Sequence, residues 1–174
     1  MSKITLILGG VRSGKSRLAI KMAKEKGKKV AFIATCRPLD LDREMKKRIE
    51  LHKNSRPKNW KTFEEPEDIG LLLKNIDNDF DLIIIDCLTL LVSNLLLKGL
   101  KEKDIERRIE KIGRAGTDII IVSNEVGLGI VPDNKLARDF RDIAGKMNQV
   151  MAKRASKVFF MASGIPLEIK GGEE

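Results

Sequence analysis

The chain has no tyrosine and a single tryptophan, and aromatic residues make up only 4% of it. Stacking platforms for single-stranded nucleic acid are therefore scarce. Zinc-finger spacing and leucine-zipper heptads are missing too, so nucleic acid is not an expected partner. Cysteine occurs twice, as Cys36 and Cys87, without Cys-x-x-Cys spacing. That is too few for a disulfide framework and points to two reduced thiols in a cytoplasmic protein. No apolar run approaches the ~18 residues of a membrane-spanning helix. The opening MSKITLILGG carries a short apolar run without a small-residue cleavage site, so no secretory signal is expected. Histidine occurs once, at position 52, leaving one imidazole for chemistry near neutral pH.

What is present describes a globular chain. Its 174 residues are 42% hydrophobic and 34% charged, which suits one domain spanning 1–174 with a substantial core. Lysine and arginine number 34 against 25 acidic residues, a net charge of +9. That balance favours an anionic partner, whether nucleic acid, a membrane surface or phosphorylated small molecules, although a solvated Lys/Glu surface has the same composition. Strands are expected at Ile4–Leu8, Val30–Ala34, Trp60–Phe63, Leu82–Ile85, Asp118–Val122, Val158–Ala162 and Leu167–Lys170. Helices are expected over Lys15–Lys26, with Leu18, Met22 and Ala23 on one face and Gly27 as the stop, and from Asp40 or Asp42 to about Asn54. Further helical stretches run from Pro66 to about Asn75, over the apolar Leu88–Leu97, from Lys103 to Arg114, and over about 20 residues ending near Arg154. Strands alternating with helices imply an α/β domain with a mainly parallel sheet flanked by helices.

Chemistry concentrates at the strand ends. Gly9-Gly10-Val11-Arg12-Ser13-Gly14-Lys15-Ser16 matches GxxxxGK[ST], and it sits between an expected strand and an expected helix. Glycines let successive N–H groups curl around phosphate oxygens, and the helix N-terminus adds partial positive charge. Lys15 then reaches the β- and γ-phosphates, and Ser16 becomes a ligand for Mg²⁺. Asp86 follows the apolar strand Leu82–Ile85, where a Walker-B carboxylate in the Mg²⁺ shell belongs; it is also placed to cap the segment from Leu88.

His52 lies at the C-terminal end of a stripe formed with Met45 and Ile49, with Arg48 one turn before it and Arg56 four residues after. It is either a structural side chain at an apolar edge or a neutral nucleophile beside phosphate-binding cations. Ser123-Asn124-Glu125 follows another core strand, and Glu125 is either a base or metal-shell residue or a polar strand end. The run Arg138-Asp139-Phe140-Arg141-Asp142 alternates in sign and reads most simply as a salt-bridged helix face.

Taken together, these segments resemble the bifunctional adenosylcobinamide kinase/adenosylcobinamide-phosphate guanylyltransferase family of cobalamin biosynthesis. The resemblance runs through GGVRSGKS at 9–16, FIAT at 32–35, EMKKRIELHKNSRP at 44–57, WKTFEEP at 60–66, DCLTLLVSNLL at 86–96, VSNEVGLGIVPDNKLARDFRDIAGKMNQ at 122–149 and SGIPLEIK at 163–170. It implies a P-loop NTPase fold of the RecA-like kind and two reactions. One phosphorylates adenosylcobinamide with ATP or GTP; the other transfers GMP from GTP to adenosylcobinamide phosphate, releasing pyrophosphate. The resemblance makes His52 the residue that carries GMP covalently. It places nucleotide contacts at Gly9 to Ser16, at Ala34, Thr35 and Cys36, at Lys53, Asn54, Ser55 and Arg56, and at Glu64 and Asp86. It also implies a homo-oligomer, a trimer. Relatives can carry glutamate at the Walker-B position, so Asp86 has the shorter reach. The competing expectations are a P-loop kinase for another small alcohol, a RecA-like motor acting on nucleic acid, and a non-catalytic nucleotide switch.

Overall fold

The computed structural model describes residues 3–27, 29–37, 47, 49–50, 53 and 56–171. Among these residues, β1 (Ile4–Gly9), β2 (Val30–Ala34), β3 (Lys61–Glu64), β4 (Leu82–Asp86), β5 (Asp118–Asn124), β6 (Lys157–Ala162) and β7 (Ile165–Lys170) form one sheet. Its order is β3-β2-β4-β5-β1-β6-β7. Every neighbouring pair is parallel except β6 and β7, which form an antiparallel hairpin. Among the described residues, the α-helices with defined ends are α1 (Lys15–Lys26), α2 (Ile69–Ile76), α3 (Leu88–Leu97), α4 (Glu102–Ile112) and α5 (Lys135–Arg154).

The strand side chains alternate between two cores. Leu6, Ile33, Ile83, Ile85, Ile119 and Ile121 pack against apolar residues of α2 to α5. Ile7, Phe32, Ile84, Ile120 and Val122 face the other way, where Ala19 and Ala23 of α1 join them. Ile83, Ile84 and Ile85 are all fully buried. A strand covered on both faces has no solvent side to read as polar, which is why β4 shows no alternation. Each such side chain contributes about 1.5–3 kcal/mol relative to leaving it in water.

Several boundaries differ from the expectations above, each for a local reason. The buried residues of α1 are Lys15, Ala19, Ile20 and Ala23. Leu18 and Met22 are only partly buried, since the small alanines let the helix lie close to the sheet. The N–H of Gly27 closes α1 on the Ala23 carbonyl, as expected for the stop. The helix expected from Pro66 begins at Ile69 because the Asp68 side chain accepts the Leu71 N–H and caps it. The Cys87 sulfur, not Asp86, accepts the Leu90 N–H at the start of α3. β5 continues to Asn124 because its backbone pairs with Leu8 and Gly9 after its apolar run has ended. Of the helix expected to end near Asn54, Lys47, Ile49, Glu50 and Lys53 are described and helical. His52, Asn54, Ser55, Arg48 and the expected caps Asp40 and Asp42 lie outside the described residues.

Candidate active site

Parallel pairing brings the carboxyl ends of β1 to β5 to one edge of the sheet. Ala34 is in register with both Glu64 and Asp86, and Gly9 with Asn124. Ligands of open α/β sheets bind outside this edge, because the following helices start there and point their free N–H groups toward it.

The loop from Gly9 to Ser16 is shaped by two glycines. Gly9 has φ 146°, and a Cβ there would lie 2.7 Å from the Met161 carbonyl oxygen and 2.9 Å from Ser13 Oγ. Gly14, with φ 96°, occupies the N-cap of α1 without a side-chain cap. No acidic residue sits in the first turn of that helix, so its amides are left for an external anion. Lys15 is 7% exposed, and its Nζ donates to the Gly10 carbonyl at 2.6 Å. Burial lowers its pKa from the ordinary lysine value, opposed by electrostatic interaction with Cys87 and Asp86. Ser13 Oγ is buried and has no hydrogen-bond partner among the described residues.

Asp86 ends β4 with Oδ2 buried and unpartnered among the described residues. A buried carboxylate oxygen without a donor is costly, and a cation lying against it removes that cost. A hard ion of the Mg²⁺ type takes oxygen ligands, usually one or two from the protein with phosphates and water supplying the rest. The donor set fits that pattern: Asp86 lies close enough to influence Lys15, and Ser16 follows Lys15 in the first turn of α1. Among the described residues there is no cluster of three or more His, Cys, Asp or Glu that forms an all-protein metal cage.

A second set of charges faces the same edge. Lys53 Nζ pairs with Glu64 Oε1 at 2.9 Å. The Arg56 guanidinium lies 3.7 Å from the centroid of the Phe32 ring, and its Nη1 donates to Thr62 Oγ1 at 3.2 Å. Burial lowers the Arg56 pKa, opposed by Asp86 and Glu64. Lys53, Arg56, Glu64 and Asp86 are therefore gathered at the carboxyl edge of the sheet.

The family model for cobinamide kinase / cobinamide phosphate guanyltransferase (CobU) matches residues 5–169, which span this whole edge. The chain belongs to that family. It is similar to the bifunctional adenosylcobalamin biosynthesis protein CobP of Pseudomonas aeruginosa, 43% identical over 95% of this chain and 96% of the relative. It also resembles the CobU proteins of Escherichia coli, at 38%, and Salmonella typhimurium, at 39%, each alignment covering 95% of this chain and 98% of the relative. Among solved structures it resembles an ATPase from the type III secretion system of pathogenic bacteria (TM-score 0.61, 10% identity, 92% of this chain). The chain spans only about half of that ATPase, 51% of its length. It also resembles a KaiC-like protein from Pyrococcus horikoshii (TM-score 0.54, 17% identity, 98% of this chain and 80% of that one). These two likenesses show the fold, a RecA-like P-loop fold.

Within this member of the cobinamide kinase family, some residues at the edge brace the site from behind. Thr35 is fully buried. Its hydroxyl donates to the Cys87 carbonyl and accepts from the Cys87 N–H, both at 2.8 Å. Its own N–H donates to the Asp86 carbonyl, and its carbonyl accepts from Asn94 Nδ2 at 2.8 Å. Thr35 thus ties the end of β2 to the end of β4 and to α3, and its polar atoms are spent on that task. A second buried network joins Thr89, Ser123 and Asn148: Ser123 Oγ donates to Asn148 Oδ1 at 2.7 Å and lies 3.0 Å from Thr89 Oγ1. Thr89 Oγ1 accepts the Asn124 N–H at 2.6 Å. The sequence reading missed these braces. The signal was there, as lone Thr and Asn residues inside the apolar run LTLLVSNLL, but their partners are distant in the chain. Glu125 accepts the Gly127 N–H at 2.8 Å, which makes it a loop anchor.

The two thiols are free and differ in access. Cys87 is buried, which together with Asp86 pushes its pKa up to about 12. Cys36 is half-buried, and burial, with Glu64 second, raises its pKa above 9.0. Alkylation of the native protein is therefore expected to modify Cys36 slowly, faster as the pH rises past 9.0, and to leave Cys87 intact. Saturating GTP is expected to slow the Cys36 reaction. Intact mass should show one adduct natively and two in denaturant; native modification of Cys87 would contradict the burial described here.

Proposed function

We propose that the chain catalyses both reactions of its family at one nucleotide edge, phosphorylating adenosylcobinamide and then converting the product to adenosylcobinamide-GDP. The supporting observation is the convergence of Lys15, the unpartnered Asp86 oxygen, Arg56 and the Lys53–Glu64 pair at the P-loop. In the kinase step the substrate hydroxyl attacks the γ-phosphorus of ATP or GTP, the nucleoside diphosphate leaves and the hydroxyl proton passes to solvent. In the second step His52 attacks the α-phosphorus of GTP and pyrophosphate leaves. A phosphate oxygen of adenosylcobinamide phosphate then attacks the histidine-bound phosphorus and releases the imidazole. The P-loop serves both, because it neutralises the β/γ region whichever phosphorus is attacked. Mg²⁺ held by Ser16 and Asp86 would neutralise phosphate charge as it develops. The described chain neighbours of His52, Lys53 and Arg56, reach Glu64 and Phe32 at this edge, which supports the histidine's assignment. Asn54 and Ser55, in the same segment, are proposed to add nucleotide contacts, as are Ala34 and Cys36 at the end of β2.

The test is incubation with GTP labelled at the α-phosphorus. Acid-labile protein label that maps to His52 and chases into adenosylcobinamide-GDP is the expected result. Phosphorylation of adenosylcobinamide without any protein label would reduce the chain to a small-molecule kinase.

Asp86→Asn keeps the shape of the side chain and removes its negative charge. It is expected to raise the Mg²⁺ concentration for half-maximal rate by about 10–100-fold while changing metal-free nucleotide binding little. An unchanged Mg²⁺ titration would remove Asp86 from the metal's surroundings.

A further inference from the structure

The nucleotide edge accounts for the reacting phosphates but leaves the bulk of the second substrate without a resting place. A corrinoid is a macrocycle fringed with methyl groups and carboxamide arms. Its hydroxyl reaches the γ-phosphate only if the ring lies on a surface adjoining the P-loop.

The segment between β5 and α5 adjoins it directly. The Glu125 N–H donates to the Gly9 carbonyl at 3.0 Å, so this segment is rooted on the first residue of the P-loop. It then turns Leu128, Ile130 and Val131 outward, 79%, 95% and 59% exposed. Loops ordinarily place polar residues there. This one is held by its backbone: Arg138 Nη1 donates to the carbonyls of Pro132 at 3.0 Å and Asp133 at 2.5 Å. Arg141 Nη1 approaches the Ile130 carbonyl at 3.4 Å. The alternating charges of 138–142 are thus not simply a salt-bridged face. Lys135 does pair with Asp139, but both arginines shape the loop so that its apolar side chains stay outside.

Behind this lip, between the end of α3 and α5, lies a groove of about 770 Å³ that includes Gly127. Leu96, Leu100 and Ile143 supply apolar lining; Asp139, Asp142 and Gln149 supply polar groups, alongside the cations Lys101 and Arg141 and the Lys146–Glu102 ion pair. A carboxamide needs both a donor and an acceptor as partners, and a mixed polar rim over an apolar floor offers them.

Building on the proposed function, we infer that this groove, with the 126–131 loop as its lip, is where the corrinoid ring rests. Leu128, Ile130 and Val131 meet its methyl groups, and Asp139, Asp142 and Gln149 meet its carboxamide arms. The Glu125 N–H bond to the Gly9 carbonyl roots the lip at the P-loop end of β5, the side from which the substrate hydroxyl would approach.

The experiment compares wild type with Ile130→Asp and Asp142→Ala, both exposed positions outside the core. For each, the KM for adenosylcobinamide, the KM for ATP, covalent guanylylation in the absence of corrinoid, and the molar mass by light scattering are measured. The expected result is a rise of about tenfold or more in the adenosylcobinamide KM for Ile130→Asp, from loss of aliphatic contact, and a smaller rise for Asp142→Ala. The ATP KM, the guanylylation rate and the molar mass stay within twofold of wild type, roughly the resolution of such comparisons. An unchanged adenosylcobinamide KM in both variants overturns the inference. A changed molar mass overturns it too, since the lip would then be a contact between copies of the chain. A wild-type protein that takes up GMP but leaves adenosylcobinamide untouched defeats the proposed function itself, a result separable from either variant's behaviour.

Discussion

Lys15→Ala is expected to abolish the kinase and guanylylation activities together, each falling by about 10²–10³, the usual cost of losing one preorganised electrostatic contact in a transition state. The reason is the shared triphosphate. Attack at the γ-phosphorus and attack at the α-phosphorus both build charge on the β-phosphate side, and Lys15 is the buried cation of the loop that holds it. Its Nζ now donates to the Gly10 carbonyl, which keeps the ammonium inside the loop curve. Lys15→Met preserves much of the length and apolar stem and should fail as badly as alanine. Thermal unfolding of both variants separates lost charge from lost packing. Retention of near-normal guanylylation in either variant would contradict a shared site. Burial holds the Lys15 pKa below 10.5, so the alkaline limb of kcat/KM for the free enzyme should set in below that value.

His52→Ala is expected to split the two reactions. Guanylylation should be lost outright, with no covalent GMP and no adenosylcobinamide-GDP, because the chain contains no other imidazole. Neutral imidazole displaces pyrophosphate, and the phosphoramidate it forms is reactive enough to pass GMP on. Kinase chemistry needs no protein nucleophile, since the substrate hydroxyl attacks directly, so phosphorylation of adenosylcobinamide should continue. Adduct formation by the wild type should increase as the pH rises through about 6.5, where an unperturbed imidazole loses its proton. Continued synthesis of adenosylcobinamide-GDP by the variant at a comparable rate would mean direct transfer without a covalent intermediate.

Much of this protein is legible in one dimension because the chemistry is local. GxxxxGK[ST] encodes a loop whose glycines, lysine and serine act within eight consecutive residues. The buried strands declare themselves as unbroken runs such as Leu82–Ile85, since both faces are covered. The boundaries that moved did so where a cap or a partner strand decided the matter: Asp68 capping α2, Cys87 rather than Asp86 capping α3, and Leu8 and Gly9 extending β5.

The sequence alone determined the P-loop, the acidic residue that follows the apolar run of β4, the alternation of strands and helices and, through its segments from GGVRSGKS to SGIPLEIK, the family. Each of these rests on residue types at short spacing. Only the tertiary structure decided that β2 and β3 bring Ala34 and Glu64 into register with Asp86, that Asp86 has a buried oxygen without a donor, and that β7 returns antiparallel to β6. It also decided that Thr35 ties β2 to β4, and that Arg138 and Arg141 hold an apolar loop outward. Those are pairings between groups far apart in the chain or between a side chain and a backbone carbonyl. No periodicity encodes them, because a hydrogen bond records where two atoms meet in space and not how many residues lie between them.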